Sequence, residues 1–344
     1  MCGLAGIFHL TTPKPVDPAR IERMCDAIAH RGPDGHGVWT APGVGLGHRR
    51  LSIIDLAGSP QPMHSADGRA VLVFNGEIYN FRELRAELAA SGAQFRTDGD
   101  SEVILAAWQK WGPACVERLH GMFAFAIYDV PSRSLFLARD RLGVKPLFLA
   151  ELSDGSLAFA SELKALVAHP LLRRELDPLA VEDYLAWGYV PDTRSILAGV
   201  RKLPAGHALL LRHDAPCPEP SRWWDMSFAA RARGKPADLE AELLHHMRVA
   251  VTSRMLADVP LGAFLSGGVD SSSVVAFMAE ASGDPVRTCS IGFDVAALDE
   301  TAHAQQVAER FGTEHRSRTV DPDDFGLVDK LAGRTDAWVK TGIP

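Results

Sequence analysis

One stretch of this chain lacks the periodic spacing of apolar residues that is found before and after it, and it separates two different patterns of predicted elements. It runs from His213 to Asp238, HDAPCPEPSRWWDMSFAARARGKPAD, and its prolines are typical of a linker. With 344 residues, the chain is also longer than one ordinary domain of about 100–200 residues. We therefore predict two domains, 2–212 and 238–344, joined by a linker at 213–237.

The part before the linker alternates short apolar runs with helical patterns. Four runs bounded by turn residues predict strands: AVLVFN, MFAFAIYD, SLFLARD and SLAFAS. FRELRAELAASG predicts a helix that begins after Asn80 as its cap and ends near Gly92, and SEVILAAWQKWG has the same spacing. This pattern predicts an α+β domain in which sheets and helices form layers.

The part after the linker has a different order of elements. A helical pattern, DLEAELLHHMRVAVTSRMLA, comes first. The predicted strands PLGAFL, PVRTCSIGF and HRSRTV then alternate with the predicted helices SSSVVAFMAEA and ETAHAQQVAERFG. Strands connected through helices of this length are parallel, so we expect an α/β domain.

The composition limits which cellular compartments and which classes of partner are expected. The 36 basic and 43 acidic residues give a net charge of −7, which argues against nucleic acid or an anionic membrane as the main partner. No apolar run approaches the roughly 18 residues of a spanning helix, and the N-terminus has no signal-peptide pattern. The five cysteines are odd in number and form no CxxC pair, as expected in a reducing environment. We expect a cytoplasmic protein.

The chain starts MCGLAGIF, with a cysteine directly after Met1. We expect Met1 to be removed because the next residue is small, which leaves Cys2 with both a thiol and a free α-amine. The usual pKa values of these groups are about 8.5 and 7.7–8.0, so the amine can serve as the base for the thiol. The alternative is that Cys2 is only a small buried residue near the start of a strand.

Several segments follow in order, and the first four of them place polar residues in glycine-punctuated loops. They are HRGPDG (30–35), GHRRLSIIDL (47–56), FNGEIYN (74–80), DGDSEVIL (98–105), GMFAFAIYD (121–129) and ARDRLGVKPLF (138–148). Together they resemble the class II glutamine amidotransferases. That resemblance implies an α+β N-terminal nucleophile fold, an αββα sandwich, for the first domain.

The resemblance also implies catalytic roles. Cys2 would attack the carboxamide carbon of glutamine and release ammonia from a thioester. The side-chain amide of Asn75 and the backbone N–H of Gly76 would stabilise the oxyanion. Viewed alone, an Asn-Gly pair is more often a turn.

The same resemblance implies how glutamine is held. Arg50 would bind the α-carboxylate of glutamine, since a guanidinium group matches a carboxylate in geometry. Glu77 and Asp100 would receive its α-ammonium group. The alternative for Arg50 is an ordinary solvated charge.

In the second part, FLSGGVDSSSVV (264–275) lies where a predicted strand leads into a helix. Free N–H groups and the helix dipole favour phosphate at such a junction. The loop lacks the lysine and the spacing of GxxxxGK[ST], so it is not a Walker A loop. Backbone amides and hydroxyl groups that could face an anion belong to Ser266, Gly267, Gly268, Ser271 and Ser272.

This string resembles the PP-loop of ATP pyrophosphatases, which have an adenine nucleotide α-hydrolase-like fold and cleave ATP to AMP and pyrophosphate. The resemblance implies ATP as the bound nucleotide and Mg²⁺ held by Asp270, whose alternative role is an ordinary helix N-cap. It also implies that Leu265 and Ile291 contact the nucleotide, although both fit equally well as core residues.

The two domains in this order resemble the glutamine-hydrolysing asparagine synthetases. This implies a ligase that amidates aspartate with ammonia from glutamine, and a homodimer is a further expectation. One alternative is another carboxylate acceptor, such as a cell-envelope or secondary-metabolite precursor; another is a chain that retains only glutaminase activity or glutamine binding. The family's second phosphate segment, SGEGxDE, is not found, so we expect a truncated synthetase domain.

Overall fold

A computed structural model describes residues 1–229, 232–295, 297 and 299–320 of the chain. The described residues form two compact units, one of residues 1–226 and one that starts at Ser227. The domain limits 2–212, 213–237 and 238–344 stay predictions, and the last of these ranges runs beyond the described residues.

The first unit contains twelve of the described strands and six of the described helices. The strands are β1 (Gly3–His9), β2 (Gly35–Ala41), β3 (Val44–Arg50), β4 (Met63–His64), β5 (Ala70–Ile78), β6 (Gly121–Asp129), β7 (Ser134–Arg139), β8 (Phe148–Glu151), β9 (Ser156–Ala160), β10 (Val200–Lys202), β11 (His207–Arg212) and β12 (Ser221–Arg222). The helices are α1 (Pro18–Asp26), α2 (Phe81–Ala90), α3 (Asp100–Trp111), α4 (Cys115–Arg118), α5 (Leu163–Val167) and α6 (Pro178–Trp187). All strand pairs within it are antiparallel.

These strands form two six-stranded sheets that face each other. Their orders are β10-β8-β9-β1-β3-β2 and β12-β11-β7-β6-β5-β4. Leu4 and Phe8 of the first sheet share one buried cluster with Val73 and Leu137 of the second. Helices α1 and α5 cover the outer face of the first sheet, and Trp108 of α3 packs on Phe136 of the second at 5.0 Å between ring centroids. The layers confirm the predicted αββα sandwich.

Glycines in β3 explain how closely α1 approaches its sheet. A Cβ atom at Gly47 would collide with Sγ of Cys25, and one at Gly45 would lie 2.8 Å from a methyl group of Val16. Gly45 and Gly47 thus let α1 and the segment before it pack closely on this face of the first sheet.

The predicted cap of α2 is wrong in one respect. Asn80 lies at the N-cap position, but its side chain makes no capping hydrogen bond. Its amide nitrogen donates to the carbonyl of Arg118 at 3.0 Å, and its oxygen accepts from the N–H of His120 at 2.9 Å. The side chain therefore ties two segments together instead of satisfying the helix end.

The second unit begins with α7 (Pro236–Ser253) and continues with β13 (Gly262–Phe264), α8 (Val269–Ala281), β14 (Arg287–Phe293), α9 (Thr301–Phe311) and β15 (Glu314–Val320). The three strands are parallel in the order β13-β14-β15, as the sequence predicts. Leu265 and Val275 are buried with Ala304 and Ala308 of α9. In the described part of the chain, no helix is both long and apolar enough to cross a membrane.

Candidate active site

A cleft in the first unit brings together all six residues that the sequence predicts for glutamine chemistry. Those six are Cys2, Arg50, Asn75, Gly76, Glu77 and Asp100. They come from the chain start, the end of β3, the end of β5 and the first residue of α3. Segments far apart in sequence therefore meet around one thiol.

Cys2 lies half-buried just before β1. Its Sγ accepts a hydrogen bond from the N–H of Leu51 at 3.3 Å and can donate to the carbonyl of Leu51 at 3.4 Å. Burial raises the pKa of the Cys2 thiol above its usual value, although the N–H of Leu51, the chain terminus and Arg50 oppose the shift. The thiol is thus protonated at neutral pH and needs a base at the moment of attack.

The end of β5 presents its backbone to the cleft. Gly76 pairs with Phe123 of β6, but both backbone groups of Phe123 bind Asp140. Gly76 and Phe123 are therefore a non-hydrogen-bonded pair, and the N–H of Gly76 points away from β6. The N–H groups of Phe74 and Ile78, two residues to either side, point the same way and donate to Gln61 Oε1 at 2.6 Å and Asp100 Oδ2 at 3.0 Å.

The Asn75 side chain is 1% exposed, and neither its Nδ2 nor its Oδ1 has a hydrogen-bond partner among the described residues. Leaving a buried amide unpaired costs about 1–3 kcal/mol, so such a group favours a ligand that satisfies it. At Gly76, a Cβ atom would collide with the carbonyl of Met122. The pair thus supplies a side-chain donor next to a backbone donor, which is the arrangement of an oxyanion hole.

Arg50 is held by the loop that follows β3. Its Nη1 donates to the carbonyl of Leu56 at 2.8 Å, and its Nη2 donates to those of Asp55 at 2.6 Å and Ile54 at 3.4 Å. A guanidinium group has five N–H donors, so these contacts leave two for a carboxylate. The loop therefore fixes the orientation of Arg50 at the wall of the cleft.

Asp100 is a buried carboxyl group at the start of α3. Burial raises its pKa to about 7, and the negative charge of Glu77 adds to this, while the N–H of Ile78 opposes it. A cationic group placed beside Asp100 and Glu77 would lower this pKa again and hold both carboxylates ionised. This pair is chemically suited to an ammonium group.

The cleft also contains residues that sequence reasoning missed. Gln61 and Ser101 lie in its wall and contact each other at 3.4 Å between Nε2 and Oγ. Lys145 is 5% exposed, its Nζ lies 3.3 Å from Sδ of Met1, and burial lowers its pKa. Lys145 belongs to the motif ARDRLGVKPLF, so the sequence could have indicated it as a site residue. Gln61 lies outside every motif, so no sequence signal pointed to it.

In the second unit, the predicted phosphate loop connects β13 to α8. Gly267 has φ +83°, and a Cβ atom there would lie 2.5 Å from Cβ of His303 and 2.6 Å from the backbone N of Ala304. Only glycine fits this backbone conformation and this close approach to α9. Gly268 is the N-cap of α8, so the free N–H groups of the helix start face the loop.

Serine hydroxyl groups lie at this loop and contact one another and its backbone. Ser266 Oγ lies 3.0 Å from Ser271 Oγ, and the N–H of Gly268 donates to Ser266 Oγ at 3.3 Å. Ser272 Oγ is buried and has no hydrogen-bond partner among the described residues. This set of amides and hydroxyl groups fits a phosphate chain.

A second cleft beside the loop brings some of the other predicted residues together. Leu265, Ser266, Ser271 and Ile291 line it, whereas Gly267, Gly268, Asp270 and Ser272 lie outside its lining. Leu265 is 2% exposed and Ile291 is 55% exposed, so Ile291 is not the plain core residue that sequence reasoning allowed.

Asp270 lies in the first turn of α8 and is exposed, and the N-cap is Gly268. It is therefore not the capping aspartate of the alternative interpretation. The described part of the chain contains no group of three or more His, Cys, Asp or Glu side chains placed to hold a metal ion. A single carboxylate at the phosphate loop fits Mg²⁺ only together with phosphate oxygens.

Comparisons with known proteins agree with this arrangement. Residues 1–224 match the family model described as a glutamine amidotransferase domain, and residues 242–340 match that of asparagine synthase. A solved structure titled as the allosteric regulatory enzyme of purine biosynthesis superposes with a TM-score of 0.51 over 97% of this chain and 92% of its own, at 15% identity. That likeness concerns the fold alone.

Curated relatives resemble nearly the whole chain in sequence. A Mycobacterium bovis protein is 40% identical over 94% of this chain and 53% of its own length. The glutamine-hydrolysing asparagine synthetases 1 and 3 of Bacillus subtilis are 36% and 35% identical over 94% and 96% of this chain. The chain spans about half the length of these relatives, 51% and 56% for the two from Bacillus.

The first unit thus has the fold of the N-terminal nucleophile, class II glutamine amidotransferases, followed by a domain of the asparagine synthase type. More specifically, the chain belongs to the family of glutamine-hydrolysing asparagine synthetases.

Proposed function

We propose that this protein is a glutamine-dependent asparagine synthase, in which the first unit hydrolyses glutamine to glutamate and ammonia. The observation that supports this most is the convergence of six residues around the Cys2 thiol in one cleft. After removal of Met1, the α-amine of Cys2 takes the proton of its own thiol, and the thiolate attacks the glutamine carboxamide. Asn75 and the N–H of Gly76 stabilise the oxyanion.

Glutamine binds through its two charged ends. The free N–H groups of Arg50 hold the α-carboxylate, and Glu77 with Asp100 holds the α-ammonium group. These contacts place the carboxamide at the thiol.

The second unit takes ATP at the loop of residues 265–272, with Leu265 and Ile291 beside the nucleotide and Asp270 on Mg²⁺. ATP supplies the activation of the aspartate side-chain carboxylate, by adenylation with release of pyrophosphate. The loop amides, Ser266, Ser271 and Ser272 bind and orient the phosphate groups. Ammonia from the first unit then displaces AMP. The aspartate acceptor, the homodimer and the cytoplasmic location stay predictions.

The direct test follows both half-reactions in one sample. Glutamine labelled with ¹⁵N in its amide, ATP and aspartate are supplied, and labelled asparagine and AMP are measured. We expect equal amounts of the two products. Replacing aspartate by other carboxylates tests the acceptor; AMP formed with one of them and not with aspartate would overturn the assignment of asparagine as product.

A substitution in the loop tests the metal assignment. Asp270→Asn should raise the Mg²⁺ concentration needed for AMP formation and leave glutamine hydrolysis unchanged. Asp284→Asn is the matched control, since Asp284 is an exposed carboxylate of the same unit just beyond α8. An unchanged Mg²⁺ requirement in Asp270→Asn would remove Asp270 as a metal ligand.

A further inference from the structure

A buried ion pair lies behind the nucleophile, outside the cleft lining. Arg31 and Glu162 are 9% and 7% exposed. Nε of Arg31 donates to the backbone carbonyl of Cys2 at 2.8 Å, and its Nη1 donates to Glu162 Oε1 at 2.7 Å. One guanidinium group therefore connects the backbone of the nucleophile to a carboxylate more than a hundred residues further along the chain.

Glu162 is the centre of this cluster. His30 Nε2 lies 3.1 Å from its Oε1, and Lys164 Nζ lies 3.1 Å from its Oε2. Burial alone would raise the pKa of Glu162, but the hydrogen bond and charge of Arg31, with His30 and Lys164, lower it below its usual value. The carboxylate is therefore ionised and holds the guanidinium group in one orientation.

The surrounding backbone leaves Arg31 little freedom. A Cβ atom at Gly3 would lie 3.2 Å from Cδ of Arg31, so the side chain passes directly over this glycine. Ser161, the residue before Glu162, accepts from the N–H of Leu4 at 3.0 Å and donates its own N–H to the carbonyl of Leu4 at 2.9 Å. Residues 161 and 162 thus hold the start of the chain, at Leu4 directly and at Cys2 through Arg31.

The thiol itself is held less firmly. Its contacts with Leu51, at 3.3 and 3.4 Å, are its hydrogen bonds within the described part of the chain. The position of Sγ relative to Asn75 and Gly76 therefore depends on how the backbone of Cys2 is fixed. The charge-assisted contact from Arg31 is the strong one there.

We propose that Glu162 is a positioning residue for the Cys2 nucleophile: by orienting Arg31, it fixes the Cys2 carbonyl and with it the directions of the thiol and the α-amine. The inference rests on the proposed glutaminase function of the same cleft. Glu162 touches no reacting atom, so its loss should misplace the nucleophile without removing a substrate contact.

The first test is Glu162→Gln, which keeps the shape of the side chain and removes its charge. We expect kcat for glutamine hydrolysis to fall about 10- to 100-fold with KM within about twofold of wild type, because a displacement near 1 Å can cost that much. The matched control is Asp192→Asn. Asp192 also pairs with a buried arginine, Arg139 at 2.9 Å, and with Lys202 at 3.5 Å, but lies outside the cleft lining.

The second test asks whether Glu162 acts through Arg31. Arg31→Lys cannot bind the Cys2 carbonyl and Glu162 in the forked geometry of arginine, so it should lower kcat similarly. If Glu162 acts through Arg31, the double variant should be no worse than either single variant. Additive losses, or equal losses in Asp192→Asn, would overturn the proposal.

A third readout needs no turnover. The rate at which iodoacetamide modifies Cys2, measured by mass spectrometry of the N-terminal peptide, should change in Glu162→Gln and stay unchanged in Asp192→Asn. Wild-type protein without glutaminase activity would refute the proposed function itself. Active wild type with an unaffected Glu162→Gln variant would refute only the positioning role.

Discussion

The cleft around Cys2 contains polar side chains that are almost fully buried, whereas the phosphate loop of the second unit relies more on backbone groups and exposed side chains. Asn75 and Asp100 are 1% and 6% exposed, while Ser266 and Asp270 are exposed. The loop owes its shape to Gly267 and to the helix start at Gly268. The first site thus depends on the identity of each side chain, and the second depends mainly on the path of the chain.

The two units also differ in how completely the residues of their strands are buried. The first unit encloses its sheets between helices, with Phe123 and Phe125 fully buried. In β14 of the second unit, buried and exposed residues alternate: Thr288 and Ser290 are buried, whereas Cys289 and Ile291 are exposed. Substitutions at buried groups should therefore have specific effects on chemistry in the first unit, and substitutions that alter the loop path should matter most in the second.

The largest effect is expected at the nucleophile. Cys2→Ala should lower glutamine hydrolysis by about a thousandfold or more, because no other group forms the thioester, while amide formation from added ammonia persists. Ammonia release and thermal unfolding are measured together. Cys217→Ala is the control, since Cys217 is another half-buried thiol of the first unit, outside the cleft. Substantial turnover in Cys2→Ala would refute the nucleophile assignment.

The second-largest effect is expected at Asn75, a buried side chain of the first site. Asn75→Ala should lower kcat by about 100- to 1000-fold with little change in KM, as loss of one oxyanion donor does. It should not destabilise the fold through lost hydrogen bonds, since both polar atoms lack partners among the described residues. Asn80→Ala is the control, because Asn80 bonds to Arg118 and His120 instead. A matching loss of kcat in both variants would contradict the oxyanion role.

Much of this could be predicted from the sequence, because strands and helices have distinct periodicities and the motifs are glycine-rich. The strands around FNGEIYN, the three parallel strands and both fold classes are confirmed. The hydrogen-bonding role of Asn80 could not be predicted, because its partners lie some forty residues further along the chain. The same holds for Glu162, whose partner Arg31 lies 131 residues earlier in the chain. Gln61 could not be predicted because no motif contains it.

The third prediction tests whether the backbone path of the phosphate loop matters more for ATP binding than the side chains of the loop. Gly267→Ala should raise KM for ATP by about tenfold, since a side chain at φ +83° next to His303 strains the loop by about 1–3 kcal/mol. Glutamine hydrolysis should not change. Gly283→Ala is the control: a Cβ atom there meets no atom within 4 Å among the described residues. Equal ATP kinetics in both variants would mean that the loop path is not decisive.

The last effect concerns Asp100, whose raised pKa of about 7 couples glutamine binding to pH. The native protein keeps a proton on this group between about pH 4 and 7 that the unfolded chain has released, so Asp100 makes stability fall as pH rises through that window. An ammonium group binds the ionised form, and the ionised fraction rises from about a tenth at pH 6 to about nine-tenths at pH 8.

Glutamine should therefore bind Cys2→Ala, which cannot turn it over, about tenfold more tightly at pH 8 than at pH 6, because only the ionised fraction is competent. Calorimetry in two buffers of different ionisation enthalpy should detect proton release on binding near pH 6. The charge of Glu77 acts on Asp100, and Lys145 lines the same cleft. Asp100→Asn on the Cys2→Ala background should bind weakly at both pH values. If that variant keeps the same tenfold dependence, the pH effect belongs to one of those neighbours, and the buried carboxyl group of Asp100 is not the group that receives the ammonium.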